Sequence, residues 1–188
     1  LQPPPLPIPS HIYFTSGSTG PPKPCLLSLL SLQTLTDTYS RLYAYSRKSV
    51  ILLASGPTFD PCLSDVVLWS TVRCGLTLDC RAAAKNKDEC GRITHVVTTP
   101  TVFLDLVAAG MPLNDVENVV LGGERVVLGA SSSSSSSDGG GGGSALDKVM
   151  EGGTGTRNVY VTYGTTECGV YQTSIRVGGA KADDDGSG

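Results

Sequence analysis

The stretch HIYFTSGSTGPPKP, His11 to Pro24, decides how the rest of the chain is read. Ile12, Tyr13 and Phe14 favour an extended strand. Gly17 and Gly20 permit positive φ, so the chain is expected to turn sharply after Phe14. Such a turn exposes backbone N–H groups, and successive exposed N–H groups form an anion-binding nest. Thr15, Ser16, Ser18 and Thr19 add hydroxyl donors, and Lys23 adds a mobile cation. The stretch therefore reads as a polyphosphate cradle, or as a plain polar loop of small residues. It is not a Walker loop, because Pro21 and Pro22 stand between Gly20 and Lys23 and no helix opens at the lysine.

The surrounding chain of 188 residues can bury a sizeable core, with 39% hydrophobic residues and a net charge of −3. That charge argues against nucleic acid as a partner. No apolar run approaches the ~20 residues that a membrane helix needs. Cysteines at 25, 62, 74, 80, 90 and 168 form no C-x-x-C pair and sit near neither histidine at ligand spacing, so no zinc site is expected. Scattered thiols fit a reducing, cytoplasmic setting. The chain starts at Leu1, as a fragment or processed product would.

Strands and helices alternate along most of the length. A Pro-rich linker is expected over residues 1–10, with five prolines, and a helix over residues 25–46. Val50 to Ala54 reads as a strand buried on both faces. A second helix opens at Asp60-Pro61, carries its apolar stripe on Leu63, Val66, Val67 and Trp69, and stops at Gly75. Leu76–Leu78, Ile93–Thr99, Val116–Leu121 and Val159–Thr162 read as further strands, and Pro100 opens a helix to Ala109. Residues 130–144, with seven consecutive serines and five consecutive glycines, cannot pack a core and are expected to be a disordered insertion. A short helix over residues 145–151 follows, and residues 179–188 form an acidic, glycine-rich tail expected to be disordered. The alternation predicts an α/β fold around a mainly parallel sheet. Ligands then bind beyond the carboxyl ends of the strands, where the turns at 15–20, 56–60, 122–124 and 163–167 could converge.

A second motif, VYVTYGTTECGVYQT (Val159–Thr173), repeats the strand-then-glycine logic. Tyr163 offers a face for a base, Thr166 a donor for phosphate, and Glu167 a hard oxygen ligand for Mg²⁺. Alone, this is equally a capped helix start. In order, TSGSTG-PPK, FD, GGE and YGTTE resemble the adenylate-forming superfamily, and more narrowly the adenylation domains of nonribosomal peptide synthetases, over Tyr13 to Thr173.

The resemblance implies a large N-terminal adenylation subdomain, incomplete, over residues 11–178. It implies ATP-dependent activation of a carboxylate, an amino acid by preference, as an acyl adenylate, with transfer to a phosphopantetheine carrier thiol. Thr15, Ser16, Gly17, Ser18, Thr19, Gly20 and Lys23 would hold the β- and γ-phosphates. Pro24 stands where the family has Gly, and Thr165 where it often has Pro. Tyr163 and Gly164 would line the adenine site, Thr166 would touch the α-phosphate, and Glu167 would hold Mg²⁺. Gly122, Gly123 and Glu124 would border pocket and adenine.

The same resemblance assigns Asp60, of TFDP, to the α-amino group of the substrate; a helix cap is its other reading. Pocket walls would come from Pro61, Ser64, Thr98, Val120, Gly122, Val170 and Tyr171, small and apolar enough to imply an apolar or aromatic amino acid. The family's T-G-D motif, hinge and late catalytic lysine are not seen after Thr173, and Lys181 is no substitute. The chain by itself is therefore expected to adenylate very slowly or not at all. A nucleotide-binding remnant and an interaction segment stand as alternatives.

Overall fold

The computed structural model describes residues 8–15, 20–80, 92–126, 149–150 and 156–179. The expected insertion at 130–144, most of the helix at 145–151 and the tail beyond Gly179 lie outside the described residues. So do residues 1–7 and 16–19.

The first strand, β1 (Pro9–Thr15), pairs antiparallel with β2 (Lys23–Ser28), with Tyr13 opposite Cys25 and Thr15 opposite Lys23. Two expectations change here. Pro9 and Ser10 belong to a strand rather than the linker, and proline is tolerated at the first position of such an edge. Cys25 to Ser28 extend β2 rather than the helix, because β1 offers a ladder that overrides leucine's weak helical preference.

Helix α1 (Leu29–Leu42) starts where Ser28 Oγ accepts the Ser31 N–H at 3.1 Å. Its threonines do not break it, because Thr34, Thr36 and Thr38 donate back to carbonyls four residues earlier, at 2.7–2.9 Å. Strand β3 (Val50–Leu52), helix α2 (Asp60–Val72) and β4 (Gly75–Thr77) follow. The stop of α2 is Arg73, left-handed at φ 59°, and Gly75 instead opens β4. Next come β5 (His95–Thr98), α3 (Pro100–Ala108), β6 (Asn118–Leu121), β7 (Asn158–Tyr163) and β8 (Thr173–Gly178).

Six strands form one sheet in the order β4-β3-β5-β6-β7-β8. All neighbours are parallel except β8, which returns antiparallel along β7 and was not expected from sequence. The mainly parallel α/β fold therefore stands.

Successive residues of the buried strands feed opposite faces. Leu52, Val96, Val119, Leu121 and Val159 pack with Phe103 of α3 on one side. Ile51, Val97 and Val120 pack on the other with Leu68 of α2 and with Tyr39, Tyr43 and Tyr45 of α1 and its exit.

The amino ends of the strands carry a buried polar row. His95 Nε2 lies 2.8 Å from the Tyr43 carbonyl, Nδ1 lies 2.8 Å from Thr94 Oγ1, and Tyr45 stacks on the ring. Asn118, opposite His95 in register, accepts from Asn158 at 2.9 Å. Burial pushes the His95 pKa down. This imidazole ties strands together at the edge opposite the site described next.

Candidate functional site

The carboxyl ends of β3, β5, β6 and β7 deliver four turns to one edge of the sheet. Asp60 is the first residue of α2, behind β3, and its side chain is only 6% exposed. The N-cap is Phe59, with no side-chain hydrogen bond, so Asp60 does not act as the cap. Instead it faces the turn after β7. The Thr166 hydroxyl stands beside it, close enough to favour its charged form, and Glu167 lies close enough to repel that charge. Burial raises the Asp60 pKa; Thr166, its own backbone N–H and His11 of β1 pull against that rise. Tyr13 also feels the Asp60 charge.

The Tyr163–Glu167 turn is held by a residue the motif reading passed over. Gln172 Oε1 accepts the Thr165 N–H at 2.8 Å, and its Nε2 donates to the Gly169 carbonyl at 2.7 Å. The Gln172 N–H closes the loop on the Tyr163 carbonyl at 3.0 Å. Gly164 is required here, since a Cβ would collide with the Val170 carbonyl and stand 2.6 Å from Tyr171 Cα. Gly164→Ala is expected to destabilise the chain by about 1–3 kcal/mol, the scale of overpacking against backbone, readable as a lowered Tm. An unchanged Tm would remove this turn's rigidity from the account.

Tyr163 ends β7 with its ring 70% exposed, open to a flat ligand. The Glu167 carboxylate is exposed and takes no hydrogen bond or ion pair from the described residues.

After β6 the chain runs Gly122-Gly123-Glu124. The Gly122 N–H donates to the Thr98 carbonyl at 3.1 Å, which locks this turn to the end of β5. Gly123 is left-handed at φ +79°, and a Cβ there would sit 3.0 Å from Phe59 Cζ. Glu124 accepts from Thr101 Oγ1 at 2.6 Å and from the Thr101 N–H at 3.3 Å, over the amino end of α3. Those bonds lower its pKa.

Asp60, Thr166, Glu167, Gly122, Gly123 and Gly164 are thus brought to one edge. Thr98 and Val120 are buried in the sheet behind it, Val120 within the tyrosine cluster. Val170 is buried beside His11 and Leu27. Thr15 and exposed Lys23 face each other at the mouth of the hairpin, with Gly20 in open space. Ser16, Gly17, Ser18 and Thr19, between them, lie outside the described residues.

The stripe of α2 differs from expectation. Cys62, Ser64, Asp65 and Leu68 are buried, while Trp69 is 42% exposed. The inward face of the helix thus includes two polar residues, Ser64 and Asp65. Five cysteines described by the structure, Cys25, Cys62, Cys74, Cys80 and Cys168, are free thiols, and no cluster of metal ligands occurs among the described residues. None of the described helices is long and apolar enough to cross a membrane.

A family model, AMP-binding enzyme, matches residues 3–187. The nonribosomal peptide synthetase easA of Emericella nidulans is 28% identical over 173 residues, 87% of this chain and 2% of that protein. The adenylation domain AlmE of Vibrio cholerae, solved with glycyl-adenosine-5'-phosphate, superposes with a TM-score of 0.66 at 20% identity, over 90% of this chain and 30% of that one. O-succinylbenzoate coenzyme A synthetase of Bacillus subtilis, solved with ATP and magnesium, gives 0.64 at 15% identity, over 88% of this chain and 32% of that one. The chain therefore spans a small part of each relative it matches. It belongs to the AMP-binding enzyme family and folds as part of an adenylation domain.

Proposed function

We propose that this chain forms the nucleotide- and amino-acid-gripping part of an enzyme that activates an amino acid as its acyl adenylate. Pyrophosphate is released, and the acyl group passes to a carrier thiol. One observation carries the reading: a buried carboxylate, Asp60, stands beside the Thr166 hydroxyl of a turn that also presents Glu167.

A buried carboxylate needs a partner. The ammonium of an amino acid supplies one, and Asp60 then fixes the neighbouring substrate carboxylate near the phosphate chain. Thr166 bridges the two halves of the site, bonding Asp60 on one side and donating toward the α-phosphate on the other. Tyr163 offers its exposed face to adenine. Lys23, at the hairpin mouth opposite Thr15, reaches the terminal phosphates of the loop it closes.

Mg²⁺ takes one or two carboxylates together with phosphate oxygens, and the free carboxylate of Glu167 fits that donor set. When bound, the ion neutralises phosphate charge.

The test is calorimetric titration of the chain with ATP and Mg²⁺. Lys23→Ala is expected to weaken ATP binding about tenfold or more, the loss of a charge-assisted contact. Unchanged affinity would contradict the phosphate assignment. ATP binding that ignores every amino acid would favour a nucleotide-binding remnant.

A further inference from the structure

The seven residues before Ile8, LQPPPLP, have no part in the site described above. Pro3, Pro4, Pro5 and Pro7 each have φ fixed near the polyproline II value, so such a segment loses little entropy on binding. Leu1 and Leu6 add apolar side chains, and no residue of the seven carries a charged side chain. The point where the segment joins the fold is defined. The Leu29 N–H donates to the Ile8 carbonyl at 2.8 Å. Strand β1 runs antiparallel to β2, with Pro9 opposite Ser28. Traced back from Ile8, the chain therefore leaves beyond the end of β2, where α1 begins.

An open groove of about 440 Å³ starts at that point. Leu29, Leu30 and Leu32 of α1 and Val67 of α2 are among its walls. Leu29 is both the residue bonded to Ile8 and a wall of the groove. Leu30 is 68% exposed, so no described residue covers this wall. Gln33, also on the wall, makes no side-chain hydrogen bond among the described residues. Its amide is a donor for the carbonyls that a polyproline II segment leaves unpaired. The α1 side of the groove runs from Leu29 to Asp37, about 12 Å at ~1.5 Å per residue. Seven residues of polyproline II span about 22 Å at ~3.1 Å per residue, enough to follow it.

We propose that the α1–α2 groove is a proline-recognition site whose occupant is the chain's own segment 1–7, laid along it as polyproline II. Leucine and proline side chains cover Leu29, Leu30, Leu32 and Val67, and Gln33 donates to a carbonyl of the segment. The segment is free of charged side chains, so covering the groove buries none from it. The bond from Leu29 to Ile8 holds the segment at the groove, and tethering of this kind gives a local concentration on the millimolar scale, so weak intrinsic affinity suffices. Docked, the segment ties α1, which follows the phosphate hairpin, to α2, which begins at Asp60.

The test is hydrogen exchange, read by mass spectrometry, on the full chain, a chain lacking residues 1–7, and the full chain carrying Leu30→Lys. Residues 29–37 and 67–71 are expected to exchange roughly tenfold faster or more in both variants, the scale of uncovering one leucine side chain. Strands β5 and β6 are expected to keep their rates. Leu30 is exposed, so the lysine alters the groove and not the core. If the shortened chain fails to fold, as judged by its melting, Leu30→Lys alone decides the matter. Rates equal to those of the full chain in either folded variant overturn the proposal. So does a rise that β5 and β6 share, which makes the effect one of general stability. Protection that disappears on dilution, together with a dimer seen by light scattering, makes a second copy the occupant and overturns docking within one chain.

Discussion

Asp60→Asn is expected to weaken binding of glycyl-sulfamoyladenosine by about 30-fold or more, since breaking a buried charge pair costs about 2–5 kcal/mol. ATP affinity should change little, because the contacts proposed for Asp60 are the substrate amine and the Thr166 turn, not the terminal phosphates. The acetyl analogue, which lacks the ammonium, should bind the wild type poorly and be indifferent to the substitution. Equal losses for both analogues would make Asp60 a structural residue.

The pH profile of the same binding gives a further reading. The ammonium needs an ionised Asp60, and burial raises that pKa above the ordinary carboxylate value. Affinity for the glycyl probe should be full well above the raised pKa. It should fall as the pH is lowered through it, before ordinary carboxylates titrate.

The second large effect concerns Asp65. Asp65 is 1% exposed, and neither carboxylate oxygen has a hydrogen-bond partner among the described residues. Burial alone pushes its pKa well up. Tyr45, beside it, likewise has a buried, unpaired hydroxyl. In the unfolded chain Asp65 ionises above about pH 4. In the folded chain it stays protonated to a much higher pH, so folding takes up a proton between those two values. Stability contributed by the protonated form is full below pH 4 and is lost as pH rises toward the folded pKa.

Asp65→Leu removes that loss. It is expected to stabilise the chain by about 1–4 kcal/mol at pH 8, raising Tm by about 2–4 °C per kcal/mol, with a smaller gain at pH 4. Thermal melts at the two pH values check it. A gain that is equal at both, or a loss at pH 8, would contradict the unpaired burial of this carboxylate.

Much of this architecture was legible because its signals are local. Short apolar runs such as Ile51-Leu52, Val96-Val97 and Val119-Val120 read as strands covered on both faces, and each is followed within a few residues by a glycine or proline. The residues that the structure brings to one edge stood out in the sequence where a turn is written in consecutive residues, as in Tyr163 to Glu167.

What was missed depends on contacts far apart in the chain. Residues 25–28 are leucine-containing and neutral in preference, and only pairing with β1 makes them a strand. Strand β8 has exposed Ile175 and no apolar run, and its register comes from β7. Gln172 and Asp65 were not singled out. Their importance appears only when Thr165, Gly169 and Tyr45 are set against them.

The most direct measurement is a crystal structure of the chain with glycyl-sulfamoyladenosine. The account predicts the glycyl ammonium within hydrogen-bond distance of the Asp60 carboxylate and the adenine against Tyr163. An ammonium bound away from Asp60, with that carboxylate paired only to Thr166, would contradict it.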